Sequence, residues 1–373
     1  YYPTNKIRVP VNKENVLKSG VVKPEDAELI VDYIDIDLPK SGLYKNRIMM
    51  LDILHNNDWK RPIYFTGGSY EDEEYIWMKS YLQLDGLVYK LVPIKTPENP
   101  INPYQMGRID ADKMYDIVKK WDWGNADSDQ IYHDPETRKN SISFRSNLTR
   151  LAEQLTKEDK PKKAIDILDL SMEKMPFEYF GYYSLLTPIV AAYYQADAND
   201  KAGALAEKIA FKYQNKLKYY KTIGNANQRA YAEIILTDME RYRAVVDATV
   251  AAEHTAVAKG LIQDFIESSR TFAPLYSAYD YYTPMTPYVT ILFDAEMEDS
   301  GRLLFDAIAQ VYQNRLALFS QIPQEELEYY KESITYEIRG YQELIESYQI
   351  AEPDLALVSE ANKEFKKAVG PYL

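Results

Sequence analysis

Residues 187–217 align without a gap onto residues 286–316, with about a dozen identities. Thr187-Pro188 matches Thr286-Pro287, Val190 matches Val289, Asp200 matches Asp299, Leu205 matches Leu304 and Ile209-Ala210 matches Ile308-Ala309. Tyr213-Gln214-Asn215-Lys216-Leu217 matches Tyr312-Gln313-Asn314-Arg315-Leu316. Self-similarity at a fixed spacing confines a chain to stacked, like units, because each unit buries its apolar face only against a neighbour. Proline near the first helix start and polar turns at Asp197 to Lys201 and Glu296 to Ser300 make each copy a helical hairpin. The repetition is explained by packing and requires no shared ligand site.

From Pro135 onward nearly every segment has helical period, with breakers held at junctions such as Pro161, Pro176, Gly224, Pro274, Pro323 and Pro353. Leu148, Leu151, Ala152, Leu155, Ala164, Leu168 and Pro176 follow the tetratricopeptide pattern of small and large positions, except that Ser171 stands where Ala is usual. Asn227 to Thr271 is too long for one helix and predicts two or more. The array is therefore an irregular, curved stack of hairpins. Tyrosine is abundant, at 34 residues. In Tyr182-Tyr183, Tyr193-Tyr194, Tyr219-Tyr220 and Tyr329-Tyr330 one ring should pack inward and its neighbour outward, since adjacent helical positions point about 100° apart.

The first third reads differently. Ile7 to Val11 and Tyr33 to Ile36 alternate like strands, Asn46 to Leu54 has helical period, and Asp112 to Trp121 closes the region as a helix. Ile63-Tyr64-Phe65, a breaker at Thr66-Gly67-Gly68-Ser69, a helical segment from Tyr75 to Leu84 and a run from Leu87 to Val92 predict a right-handed βαβ unit with parallel strands. The expected fold class is α+β: a small α/β domain over 1–125, a connection over 126–134, and a tetratricopeptide-like helical-repeat domain over 135–373.

With 44 basic and 57 acidic residues, the net charge of −13 argues against nucleic acid or an anionic lipid surface as the main partner. No run approaches the roughly 18 to 20 apolar residues that a spanning helix needs. The start at Tyr1-Tyr2-Pro3, without an initiator Met or signal pattern, reads as an excised segment whose address lay upstream. The absence of cysteine excludes disulfides, thiolate metal sites and a thiol nucleophile.

The catalytic signals are weak. Thr66 to Ser69 has the context of a phosphate cradle, but Glu71, Asp72, Glu73 and Glu74 already occupy the positive end of the helix that follows. Asn125, Asp127, Asp129, Ile131, His133 and Glu136 fall at calcium-loop spacing, which makes Asn125, Asp127, Asp129 and Glu136 the candidate metal ligands. Gln130 replaces the turn glycine and Pro135 interrupts, so a solvated acidic linker is the competing reading. His55, His133 and His254 have no zinc-site spacing. Asp35/Asp37 and Asp110/Asp112 could serve as paired carboxylates, but strand-end solvation and, for Asp110, an N-cap explain them. No Gly-x-Ser-x-Gly elbow is present. Trp59, Lys60, Arg61 and Tyr64 offer cations and aromatic faces to a glycan or lipid-linked phosphate, against the alternative that Trp59 is a packed anchor. Trp121 and Trp123 are either a further platform or a clamp.

Asn57-Asp58-Trp59-Lys60-Arg61-Pro62-Ile63-Tyr64-Phe65 and Tyr81-Leu82-Gln83-Leu84-Asp85-Gly86-Leu87-Val88-Tyr89-Lys90-Leu91-Val92-Pro93, continued by Gly107-Arg108-Ile109-Asp110 and Lys120-Trp121-Asp122-Trp123, carry a family resemblance. The chain resembles the C-terminal periplasmic region of a bacterial family of multi-span membrane proteins related to protein O-mannosyltransferases and long catalogued as a domain of unknown function. The resemblance implies a non-catalytic domain without its membrane region, tethered to the inner membrane in the full-length protein, whose parent is a glycosyltransferase. Its expected partners are acceptor polypeptide or other subunits and its own transmembrane region, with no cofactor and no catalytic residue of its own. The alternative is an independent glycan-binding or carbohydrate-active module using surface Tyr and Trp.

Overall fold

The computed structural model describes residues 4–38, 42–66, 78–97, 106–323 and 325–372. The chain divides into two compact units, Tyr1–Leu185 and Leu186–Leu373. The class is α+β, with small antiparallel sheets at the N-terminal end followed by many helices.

In the first unit, β1 (Lys6–Pro10) pairs antiparallel with β2 (Tyr33–Asp37), Ile7 facing Ile36 and Val9 facing Ile34. Alternation puts Ile34 and Ile36 inside and leaves Arg8 and Asp35 outside, where they form an ion pair. Between these strands, α1 (Lys13–Lys18) is capped by the Asn12 side chain on Asn15 N–H. Helix α2 (Lys45–Asn57) ends where Asp58 and Trp59 take left-handed backbone, at φ 45° and 60°. Neither is glycine, so the turn is held from outside. Asn12 and Asn15 donate to the Asp58 carboxylate, and Trp59 sinks into a core with Val9, Ile34, Leu54 and Val92.

β3 (Tyr64–Thr66), β4 (Leu82–Asp85) and β5 (Val88–Leu91) form a sheet in the order β3-β5-β4, antiparallel throughout. This corrects the βαβ expectation. Gly86 and Leu87 alone join β4 to β5, and Gly86 has φ +77°, the left-handed position a two-residue hairpin loop requires. So short a loop permits only antiparallel neighbours. The expected helix from Tyr75 to Leu84 gives way, over its described part, to one 3₁₀ turn (Lys79–Tyr81) and β4. Gly67 to Ser69 and the acidic run Glu71 to Glu74 lie outside the described residues.

Helix α3 (Ala111–Val118) is capped by Asp110, and a turn-rich stretch leads to α4 (Pro135–Lys157), capped by Asp134. α4 and α5 (Pro161–Lys174) form the tetratricopeptide-like hairpin, with Leu148, Leu151, Ala152, Leu155, Ala164, Leu168 and Ser171 fully buried. A short helix α6 (Phe177–Phe180) follows.

The second unit contains α7 (Thr187–Gln195), α8 (Asn199–Thr222), α9 (Gly224–Ala230), α10 (Ala232–Val250), α11 (Thr255–Ser269), α12 (Ala278–Tyr282), α13 (Tyr288–Asp294), α14 (Glu298–Phe319), α15 (Lys331–Ala351) and α16 (Leu355–Val369). The duplication runs well past the hairpin. At the same offset of 99 positions, α10 corresponds to α15, and at 100 positions α11 corresponds to α16. Tyr213 stacks on Tyr242 at 6.0 Å and Tyr312 on Tyr341 at 5.6 Å. Phe265 and Phe365 then meet the second tyrosine of each pair edge-on, at 5.2 and 5.1 Å. Gln214 and Gln313 each donate to that tyrosine's hydroxyl at 2.9 Å. Lys216 pairs with buried Asp238 as Arg315 pairs with buried Glu337. The repeating element is thus a four-helix unit with the same polar and aromatic lock in each copy.

One tyrosine expectation fails. Tyr193 and Tyr194 are both buried, because α7 is packed by α8 on one side and α10 on another and has little free face. Tyr182, Tyr219 and Tyr329 are exposed beside half-buried neighbours, as expected. Among the described residues no helix is long and apolar enough to cross a membrane.

Candidate functional site: a polar cleft over the three-stranded sheet

Strand register gathers the site. Tyr64, Lys90 and Gln83 stand in one cross-strand row of the sheet, and Asp85 shares the face of Gln83 two residues on. All but Tyr64 are buried, a position where charge persists only with partners. Asp85 supplies them: Gln83 Nε2 donates to its Oδ1 at 2.8 Å, Lys90 Nζ lies 3.4 Å and Lys113 Nζ 3.7 Å from its Oδ2, and the Tyr64 hydroxyl approaches at 3.5 Å.

The walls come from neighbouring segments. The backbone of Arg108 lies along the outer edge of β4, donating to Leu82 O and accepting from Leu84 N–H, both at 2.9 Å. Gly107 makes that approach feasible: its φ is +75°, and a Cβ there would lie 2.8 Å from Leu82 O. The Arg108 side chain pairs with Asp26 at 2.7 Å, and Lys23 with Asp110 at 3.5 Å. The Asp110 cap fixes the first turn of α3, which carries Lys113 over Asp85.

The resulting cleft, of about 530 Å³, is lined by four cations (Lys23, Lys90, Arg108, Lys113) and four carboxylates (Glu25, Asp26, Asp110, Asp112), with Leu17 and Val22 among its apolar parts. Burial pushes the Lys90 ammonium down to about 8, against the pull of Asp85. Burial also opposes the charge on Lys113, but its contact with Lys90 and the charge of Asp85 outweigh it and its pKa rises. Burial and Asp85 raise the Tyr64 phenol. At the rim, hydrogen bonds from Lys160 and Lys163 hold Asp112 down at about 2. The described lining contains no Ser, Thr, Cys or His. Its chemistry is that of matched donors and acceptors with one amine near its titration point, suited to holding a polar, hydroxylated molecule.

Of the residues singled out from sequence, Tyr64 reaches the Asp85 cluster, and Asp110 and Asp112 line the cleft beside it. Trp59 is 5% exposed and donates its indole N–H to Pro10 O at 3.2 Å. Lys60 and Arg61 are exposed, Lys60 3.9 Å from Asp58. Trp121 and Trp123 are brought together, edge-on at 5.4 Å, and both meet Phe144 at 5.6 Å. Trp121 also lies where a Cβ on Gly86 would be, 2.8 Å away. Asp127 pairs with Lys174, Asp129 accepts from Gln130, Glu136 lies 3.8 Å from Lys139, and Asn125 is exposed. Among the described residues no group of three or more His, Cys, Asp or Glu is placed to hold a metal. Gln83, Asp85, Lys90, Arg108 and Lys113 escaped the reading of the residues one by one, although the first four lie in the segments that carry the family resemblance. The available signal was the alternation Leu82-Gln83-Leu84-Asp85.

A second cleft, of about 430 Å³, opens in the second unit between the two copies. Ile266 and Glu267 line it from the end of the first copy, Arg270, Tyr282 and Met285 from the segment that joins the copies, and Met297 and Leu303 from the second copy.

Residues 1–113, which contain the whole polar cluster, match the family model of TMEM260-associated domain 2. No curated protein and no solved structure matches the chain. The matched residues make up less than a third of the chain, and it is this part that is similar to a domain associated with TMEM260.

Proposed function

We propose that this chain is the non-catalytic periplasmic part of a membrane-embedded, glycosyltransferase-like protein, and that its helical repeats recruit acceptor polypeptide or a partner subunit. The observation that carries the reading is the match of residues 1–113 to TMEM260-associated domain 2, TMEM260 being a protein O-mannosyltransferase. The cleft between the copies supports the recruiting role: Ile266, Met285 and Met297 give it an apolar lining, with Leu303 exposed at its rim and Glu267 and Arg270 beside it, a lining suited to an extended peptide. A pull-down with extended polypeptides tests it, with Leu303→Asp, at a position 72% exposed, as the disabling variant. Retention that Leu303→Asp lowers supports recruitment through this cleft; capture of glycans and no peptide sinks it. Membrane tethering has its own test, since the intact gene product should carry a series of apolar segments of about 20 residues.

The charge-balanced cleft over the sheet favours a second reading, a glycan-binding module. It requires saturable binding of free oligosaccharide that Lys113→Ala weakens.

A further inference from the structure

The two four-helix copies share their inner packing, so their outer faces report what the fold does not require. From position 201 to 222, α8 carries Lys201, Lys208, Lys212, Lys216, Lys218 and Lys221 against one carboxylate, Glu207. Their counterparts 99 positions on are Ser300, Ala307, Val311, Arg315, Ala317 and Ser320. The one cation retained is Arg315, equivalent to Lys216, and each of these pairs with a buried carboxylate. The other five lysines are absent from the second copy, which folds in the same way without them. Residues 187–269 hold 10 basic and 10 acidic residues, whereas 286–369 hold 7 and 16.

Lys208, Lys212 and Lys218 are exposed within one face of α8 about 120° wide. Phe211 and Tyr219 lie on the same stripe, 59% and 63% exposed, where the second copy has Gln310 and Leu318. From Lys208 to Tyr219 this face runs for about 17 Å along the helix. Lysines give electrostatic attraction to phosphate headgroups, and aromatic rings settle at the headgroup level, a combination that an acidic peptide alone would not select.

We infer that the outer face of α8 is a docking surface for an anionic lipid headgroup layer. It goes beyond the recruiting role, which uses a different cleft and different residues. The stripe gives a local attraction despite the acidic total, because charges more than about 10 Å apart are largely screened at moderate salt.

The test is co-sedimentation of the 373-residue chain with vesicles of phosphatidylcholine alone or with about one third phosphatidylglycerol. Binding is expected to the anionic vesicles only, and to fall as salt rises to about 0.5 M. Replacing Lys208, Lys212 and Lys218 by Glu should weaken it by at least about a hundredfold, at roughly fivefold for each lysine lost. The same charge change at Lys363, Lys366 and Lys367 on α16 should leave most of the binding, with circular dichroism melts confirming that both variants fold. Failure to bind anionic vesicles, equal loss in the two triple variants, or capture by polyglutamate but not by vesicles would each overturn the assignment.

Discussion

Lys90 Nζ stands 3.4 Å from Asp85 Oδ2, with the two side chains 1% and 2% exposed. A buried pair of this kind is costly to break from one side, because the surviving charge has lost its counter-charge and has no water to replace it. Asp85→Ala should therefore lower stability by about 3–5 kcal/mol in urea unfolding. The double variant Asp85→Ala, Lys90→Met should regain at least half of that loss, since it removes the stranded ammonium. A double variant no more stable than the single one would show that Lys90 is solvated in a way the sealed geometry does not permit.

The same lysine predicts a pH dependence. Its folded pKa is lowered to about 8 from the ordinary 10.5, so between those values the unfolded chain binds the proton that the folded chain has released. Stability from this group then rises with pH across that window and is flat below it. The stability of the parent chain relative to Lys90→Met, measured by urea unfolding from pH 7 to 10, should increase above pH 8. A difference that stays constant or falls refutes the lowered pKa.

Two helical glycines should respond in opposite directions. A Cβ on Gly340 would lie 2.5 Å from the Tyr312 hydroxyl, whose ring is fixed against Tyr341, so Gly340→Ala should cost about 1–3 kcal/mol. Around Gly260 nothing lies within 4 Å, and Gly260→Ala should gain about 0.5–1 kcal/mol by restricting the unfolded chain. Thermal melts of the two variants check both signs at once.

What could be read in advance follows how local the signal is. Helical period over 135–373 and strand alternation at β1 and β2 are written in side chains a few positions apart, and the class α+β was legible from them. The β4 strand was not, because Gln83 and Asp85 look like solvent-facing helix positions until Lys90 and Lys113, brought by other elements, neutralise them. Tyr194 likewise becomes internal only when α10 covers it. The duplication was visible over 187–217, where identity is high. Past that point Asp238 has become Glu337 and Val245 Leu344, substitutions that preserve packing while erasing identity. The polar cleft depends on Arg108 and Lys113 reaching a strand more than 20 positions earlier, a relationship no local pattern encodes.

Acid should weaken the second unit through Glu352. Arg302 grips this carboxylate with two hydrogen bonds at 2.7 and 2.8 Å, and Asp354 N–H and the Tyr348 hydroxyl add two more at 3.0 Å. The hydrogen bond from Arg302 is the main cause that lowers its pKa from 4.5 to about 2. A depressed carboxylate contributes stability above its unfolded pKa, and loses it as pH falls through the folded one. Between about pH 4.5 and 2 the parent chain should therefore lose more stability than Glu352→Gln, and equal acid slopes in urea titrations would refute the assignment.

The paired copies also supply an internal control on buried carboxylates. Both oxygens of Asp238 are engaged, by Lys216 at 3.0 Å and by the Tyr220 hydroxyl at 2.8 Å. Glu337 accepts from Arg315 through Oε1, while its Oε2 has no hydrogen-bond partner among the described residues. An amide at 238 must turn a donor toward an ammonium or a phenol that was donating to it. At 337 the amide oxygen can keep Arg315, and the NH₂ replaces an oxygen that was accepting nothing. Asp238→Asn should accordingly cost about 2–4 kcal/mol and Glu337→Gln less than about 1.5 kcal/mol. Denaturant unfolding of the two variants decides the order, and a larger loss at Glu337 would mean that its second oxygen is bonded in solution.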